Sequence, residues 1–219
     1  MKKIFLLIVL AASFSSFTAA AQLKAVSINL YGGFDVYVRA GNTEFMVNDM
    51  GEIVDWRGSG YGSGWHADII EYYDRFDDSS LQGMVKSVGG VRIEYYGRFD
   101  RDELRGKVKK IGEVAFAYYD RFDWIEKQGK LKSVGSIGLE YYDRFDWDEL
   151  SGKVKKIGNV GIKYYDRFGR DEKLGKLKSI GRSEFDYYDR FDGTHKAGML
   201  KKGARRIEQG GLVFNVVLP

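Results

Sequence analysis

The sequence predicts an all-β protein made of tandem antiparallel β-hairpin repeats, six units of 23 residues, forming an extended curling sheet with β caps at both ends. Three observations carry this. The string Tyr-Tyr-x-Arg-Phe begins at Tyr72, Tyr95, Tyr118, Tyr141, Tyr164 and Tyr187 with no insertion between copies, and an unbroken period means that each unit meets its neighbours in the same way. Apolar residues alternate with polar ones before each tyrosine pair, the period-2 mark of a strand. A Gly-x pair lies ahead of each such stripe, at Gly89-Gly90, Gly112-Glu113, Gly135-Ser136, Gly158-Asn159 and Gly181-Arg182. Glycine at the first central position suits a two-residue type II′ hairpin turn, because that residue takes a positive φ.

In chain order, residues 1–21 read as a signal peptide. Met1-Lys2-Lys3 precedes an apolar run from Ile4 to Ala12, and Ala19-Ala20-Ala21 supplies small residues for cleavage. The run is too short for the roughly 20 residues of a membrane-spanning helix. Residues 22–71 read as an N-terminal β cap, with strands at Ala25 to Leu30, Phe34 to Arg39, Glu44 to Val47 and Ile53 to Trp56. A glycine-rich loop from Gly58 leads into the six hairpin units, residues 72–209, and Leu212 to Leu218 forms a closing strand within residues 210–219. Units that touch only their neighbours predict that excising residues 118–140 leaves a folded chain.

With the first tyrosine as position 1, Arg at 4, Phe at 5, Gly at 12 and Lys at 15 are invariant. The best-formed second strand carries Val160, Ile162, Tyr164, Asp166 and Phe168 on alternate positions. A two-residue turn pairs Ile157 with Val160 and sends Val154 to the opposite face. Either both faces of the sheet are partly buried, or a bulge near the lysines brings Val154 round.

The run Tyr142-Asp143 with Gly152, Lys153, Val154 and Ile157 resembles the YD repeats of Rhs-type secreted bacterial proteins, a likeness covering about residues 72 to 202. The resemblance implies chains of β-hairpins in a long curling sheet on an exported protein. It implies no encapsulated toxin.

The candidate ligand-binding residues are aromatic. Trp124 and Trp147, both at position 7 in the polar connector, are the expected exposed contacts, and Tyr119, Tyr142 and Tyr165 at position 2 are candidates for a sugar-stacking ladder. The competing reading makes the tyrosines and Phe at position 5 cross-strand packing residues. The recurring Asp-Arg-Phe-Asp reads as turn capping or ion pairing in preference to a metal site, since an arginine beside every copy opposes a cation. Lys at position 15 reads as a solvated, charge-protected edge or as a contact for acidic glycans or anionic lipid. The chain has no cysteine and two histidines far apart, His66 and His195, so nothing points to catalysis, a cofactor or a metal. The formal charge of +4 comes from interleaved signs with no basic block, which argues against nucleic acid. The expected function is therefore that of a non-enzymatic binding or scaffold module in the periplasm or at the cell surface, with a protein or an envelope glycan as partner. A purely structural envelope protein and an outer-membrane β-barrel are the alternatives, and no transmembrane helix is expected.

Overall fold

The computed structural model of the chain describes residues 22–58 and 69–218. The leader expected at residues 1–21 lies outside them, as does the stretch 59–68 that holds His66 and most of the glycine-rich loop.

Four strands open the described chain: β1 (Gln22–Asn29), β2 (Phe34–Ala40), β3 (Thr43–Asn48) and β4 (Ile53–Gly58). The repeats contribute β5 (Ile70–Tyr72), β6 (Val85–Val88), β7 (Val91–Tyr95), β8 (Val108–Ile111), β9 (Val114–Tyr118), β10 (Leu131–Val134) and β11 (Ile137–Tyr141). They continue through β12 (Val154–Ile157), β13 (Val160–Tyr164), β14 (Leu177–Ile180), β15 (Ser183–Glu184), β16 (Asp186–Tyr187) and β17 (Leu200–Lys202). The chain closes with β18 (Arg206–Gln209) and β19 (Leu212–Val217).

Strands β5 to β15 form one open, antiparallel, 11-stranded sheet in strict chain order, and β16 and β17 pair beside it. The turn glycines take the expected conformation. Gly112, Gly135, Gly158 and Gly181 have φ between 53° and 57°, and their non-glycine successors have negative φ, as a type II′ turn requires. Gly89-Gly90 differs, with both residues at positive φ, as in type I′.

Of the two explanations for Val154, the bulge holds. Tyr141 pairs with Val154 and Glu140 with Lys156, so Lys155 is the extra residue. The same shift recurs at each inter-unit pairing and always skips the invariant lysine of position 15. Val154 and Ile157 thereby turn to one face and both are buried. The opposite face carries polar or small residues such as Glu140, Lys156 and Gly161.

One apolar face needs one cover. The two β caps join to supply it: β1 pairs in parallel with β19, giving a six-stranded sheet ordered β18-β19-β1-β2-β3-β4. Its inner side chains, including Val26, Ile28, Val36, Val38, Phe45, Val47 and Phe214, are fully buried and merge with the array's apolar residues into a single core. The layers touch where the Phe34 and Tyr141 ring centroids lie 6.3 Å apart. Hydrogen bonds fix their register: Val108 N–H donates to Gly51 C=O and Leu131 N–H to Asp49 C=O at one cover turn, and Leu177 N–H donates to Leu30 C=O at another. The caps thus lie across the face of the array.

The stripe read from Val160 to Phe168 is shorter than expected. The strand ends at Tyr164, because the Asp166 carboxylate accepts the Phe168 N–H and bends the chain into a turn. The last unit is modified to end the array. Gly203 replaces the apolar residue of position 17, and the Phe185 ring occupies the space a side chain there would need. The buried Phe185 interrupts the strand between β15 and β16.

The second layer changes the expectation for excising residues 118–140. One unit advances the sheet by two strands, about 9.6 Å, and the cover turns at Leu30 and at Asp49 to Gly51 are anchored on units a fixed distance apart. Excision is expected to lower the thermal midpoint and broaden the transition followed by circular dichroism. An unchanged, cooperative transition would show that the cover does not read the array's length.

Candidate functional site

The polar connector of each unit, positions 3 to 11, leaves the sheet at Tyr(2) and returns at position 13. It is closed by paired hydrogen bonds such as Tyr142 N–H to Lys153 C=O and Gly152 N–H to Tyr142 C=O. The invariant glycine of position 12 has φ between 70° and 83° in all six units, a conformation that explains its recurrence. Asp-Arg-Phe-Asp forms the tip. The Asp143 carboxylate accepts the Phe145 N–H, and the Asp146 carboxylate accepts the Asp143 N–H. Lys155, extruded by the bulge, pairs with Asp146 at 3.2 Å and lies over the Tyr142 ring. Hydrogen bonds from Asp74 N–H and from Lys86 hold the Asp77 carboxyl below its usual range. The recurring carboxylates are thus engaged in turns and ion pairs, and in five of the six units the lysine of position 15 is engaged by the same aspartates.

The first tyrosine of each unit after the first is buried beneath the cover sheet, and the second stitches units together. Tyr119, Tyr142 and Tyr165 donate their hydroxyls to the carbonyls of Leu139, Ile162 and Phe185. Their rings meet Tyr141, Tyr164 and Tyr187 edge-on, with centroids 5.8 to 6.1 Å apart. With Lys132, Lys155 and Lys178 over their faces, these three candidates are occupied by packing. The sequence offered both readings of them, and the geometry puts them in the structure of the array.

Trp124 and Trp147 stand at the connector tips, each 42% exposed. Trp124 meets the Phe145 ring edge-on at 5.5 Å, and Trp147 meets Phe168 at 5.3 Å, each reaching into the following unit. Arg144 and Arg167 lie over their faces, 4.2 and 4.6 Å from the ring centroids. The position-4 arginines also reach back to a glutamate of the preceding unit, Arg167 to Glu149 at 3.1 Å and Arg190 to Glu172 at 3.2 Å.

The residues that sequence reasoning misplaced are the phenylalanines of position 5. Phe76, Phe99, Phe122, Phe145, Phe168 and Phe191 are between 76% and 88% exposed. Their backbone is tied into the Asp turn while the rings project outward, flanked by guanidinium groups: Arg98 lies 4.7 Å from the Phe99 centroid and Arg170 5.0 Å from Phe191. Six phenylalanines recurring every two strands make a row about 50 Å long at about 9.6 Å spacing. A large apolar side chain repeated in the open is the kind of surface that marks an interaction site. The signal in the sequence was the aspartate on either side, which turns the chain before Phe can join the strand. No family model, curated protein or solved structure matches the chain.

Two predictions separate packing from surface residues. Tyr142→Phe, which removes an inter-unit hydrogen bond, is expected to cost about 1 kcal/mol in denaturant unfolding, whereas Phe145→Ser should stay within about 0.5 kcal/mol. A reversed order would place Phe145 in the core. The second concerns alkali. Burial raises the hydroxyl pKa of Tyr95, Tyr118, Tyr141, Tyr164 and Tyr187. Folding then holds protons that the unfolded chain releases above pH about 10, so stability falls as pH rises through that value. Burial lowers the pKa of Lys107, Lys130, Lys153 and Lys176, which acts in the opposite sense. The lysine effect ends near pH 10.5, where the unfolded lysines also lose their protons, whereas the tyrosine effect continues above it. Beyond the share from exposed tyrosines such as Tyr31 and Tyr72, a step in tyrosinate absorbance should therefore coincide with loss of the near-ultraviolet circular dichroism, and ionisation of the buried tyrosines without unfolding would contradict this.

Proposed function

We propose that the chain is an exported, non-enzymatic repeat protein that acts as a binding or scaffold module in the periplasm or at the cell surface, meeting its partner along the row of exposed phenylalanines. The single observation that carries the reading is that all six units leave the same large apolar ring in water. A packing role would have buried at least the central ones.

The period favours an extended polymeric partner. About 9.6 Å per unit is comparable with one disaccharide of an extended β-linked glycan. Phenylalanine and tryptophan faces offer apolar contact to sugar rings, while neighbouring arginines and exposed carboxylates such as Asp102, Asp148 and Asp171 can take hydroxyl groups. The charged leader-like start of the chain and the motif-level likeness to YD repeats are in keeping with export. A purely structural envelope role is the second reading, favoured by the inter-unit ladders of tyrosine and arginine. The open sheets, with a polar outer face on the array, weigh against an outer-membrane barrel. No helix among the described residues is long and apolar enough to cross a membrane.

A glycan and peptidoglycan binding screen on the full chain tests the proposal, with Trp124→Ala/Trp147→Ala and Phe122→Ser/Phe145→Ser/Phe168→Ser as variants. Loss of at least about tenfold in affinity, equivalent to 1.4 kcal/mol, is expected from either set with the fold intact. Binding that ignores both sets would remove the row of exposed aromatics from the function, and no glycan binding at all would move the reading to a protein partner or a structural role.

A further inference from the structure

Three departures from the repeat, two in the fifth unit and one at the end of the fourth, meet in one place. Elsewhere the position-15 lysine has an aspartate at position 6 to pair with; Gly169 replaces it here. Lys178 therefore lies over Tyr165 without the carboxylate that Lys155 finds in Asp146. Position 23, which is Glu94, Glu140 and Asp186 in the first, third and fifth units and Ala117 in the second, is Lys163 in the fourth. Glu140 of the third unit pairs with Lys156 of the fourth at 3.1 Å, whereas Lys163 of the fourth faces Ser179 of the fifth. The hairpin turn ends in Arg182, where other turns carry Gly90, Glu113, Ser136 or Asn159. Relative to the repeat, one acidic partner is thus lost and two cations are gained around one hairpin.

The backbone opens at the same point. Phe185 interrupts the strand, its N–H donates to Lys178 C=O, and β16 leaves the 11-stranded sheet to pair with β17. A cleft of about 510 Å³ lies along this seam on the outer face, within the roughly 300 to 1,000 Å³ range of small-molecule sites. Lys163, Lys178, Arg182 and Lys202 line it, and none of them makes an ion pair among the described residues. Glu184, the Ser179 hydroxyl and Asp186, whose carboxylate is paired with Lys173 at 2.5 Å, complete the wall.

We infer that this seam binds an acidic sugar of the uronic-acid type, its carboxylates held by the unpaired cations and its hydroxyls by Glu184, Asp186 and Ser179. Four cations against two carboxylates, one of them already paired with Lys173, favour an anion, and carboxylates in the same wall would repel a ligand that carried nothing but negative charge. A hydroxyl-rich acid satisfies both. The cleft is separate from the phenylalanine row and does not depend on what that row binds.

The test is calorimetric titration of the full chain with trigalacturonate at low salt, beside maltotriose and citrate as neutral and purely anionic probes. Trigalacturonate is expected to bind saturably and to weaken with added salt, with maltotriose silent and citrate weaker. Lys178→Gln and Arg182→Gln should each weaken binding about tenfold, as loss of a charge-assisted hydrogen bond does. Gly169→Asp restores the residue of the other units, returns a partner to Lys178, and should weaken binding likewise. Lys155→Gln, at the equivalent lysine of the fourth unit, should leave it unchanged. Absence of saturable trigalacturonate binding would overturn the inference, as would equal affinity in the Lys178 and Arg182 variants. Citrate binding as tightly as trigalacturonate would also overturn it, by reducing the seam to a simple anion site.

Discussion

The β-bulge at the position-15 lysine is the constraint on which the rest of this structure depends. Without it, Val154 and Ile157 would lie on opposite faces of the hairpin and each face would be half apolar. By extruding one residue per unit, the bulge gathers positions 14, 17, 20, 22 and 1 on one side and leaves the other polar. A sheet with a single apolar face must be covered once, and the pairing of β1 with β19 builds that cover from the two ends of the chain. The extruded lysine is used as well, lying over the second tyrosine and pairing with the aspartate that closes the connector.

The exact period allows contacts between units to be as regular as those within them. Lys130, Lys153 and Lys176 donate to the carbonyls of Gly152, Gly175 and Gly198, each in the next unit, while lying over the next unit's first tyrosine. The hydroxyl of the second tyrosine and the arginine of position 4 add two more ladders. Where a unit breaks the pattern, a neighbour compensates or a gap is left. Gly97 lacks the turn aspartate, and Asp78 of the preceding unit fills the space and accepts the Arg98 N–H. Gly203 lacks a side chain, and Phe185 fills that space. Gly169 has no such substitute, which is why the seam in the fifth unit stands apart.

The candidate site was legible in part. The tryptophans at position 7 were readable as surface residues because they stand in a polar connector. The phenylalanines were not, because their even spacing from Tyr164 imitates a strand. Only the hydrogen bond that the Phe168 N–H donates to the Asp166 carboxylate shows that the strand has already ended. The tyrosines were ambiguous for a different reason: whether an aromatic ladder faces solvent or the next unit depends on how closely the units approach.

By itself the sequence determined the unit. Its period, the hairpin and its turn glycines, the invariant glycine of position 12 and the strands of both ends are consequences of local backbone sterics and alternation, which act within a few residues. Tertiary structure decided where the ends go and which side chains remain in water. Those outcomes rest on a parallel pairing between the first and last strands and on a register between two sheets. Both join residues far apart in the chain, and no short-range pattern records them.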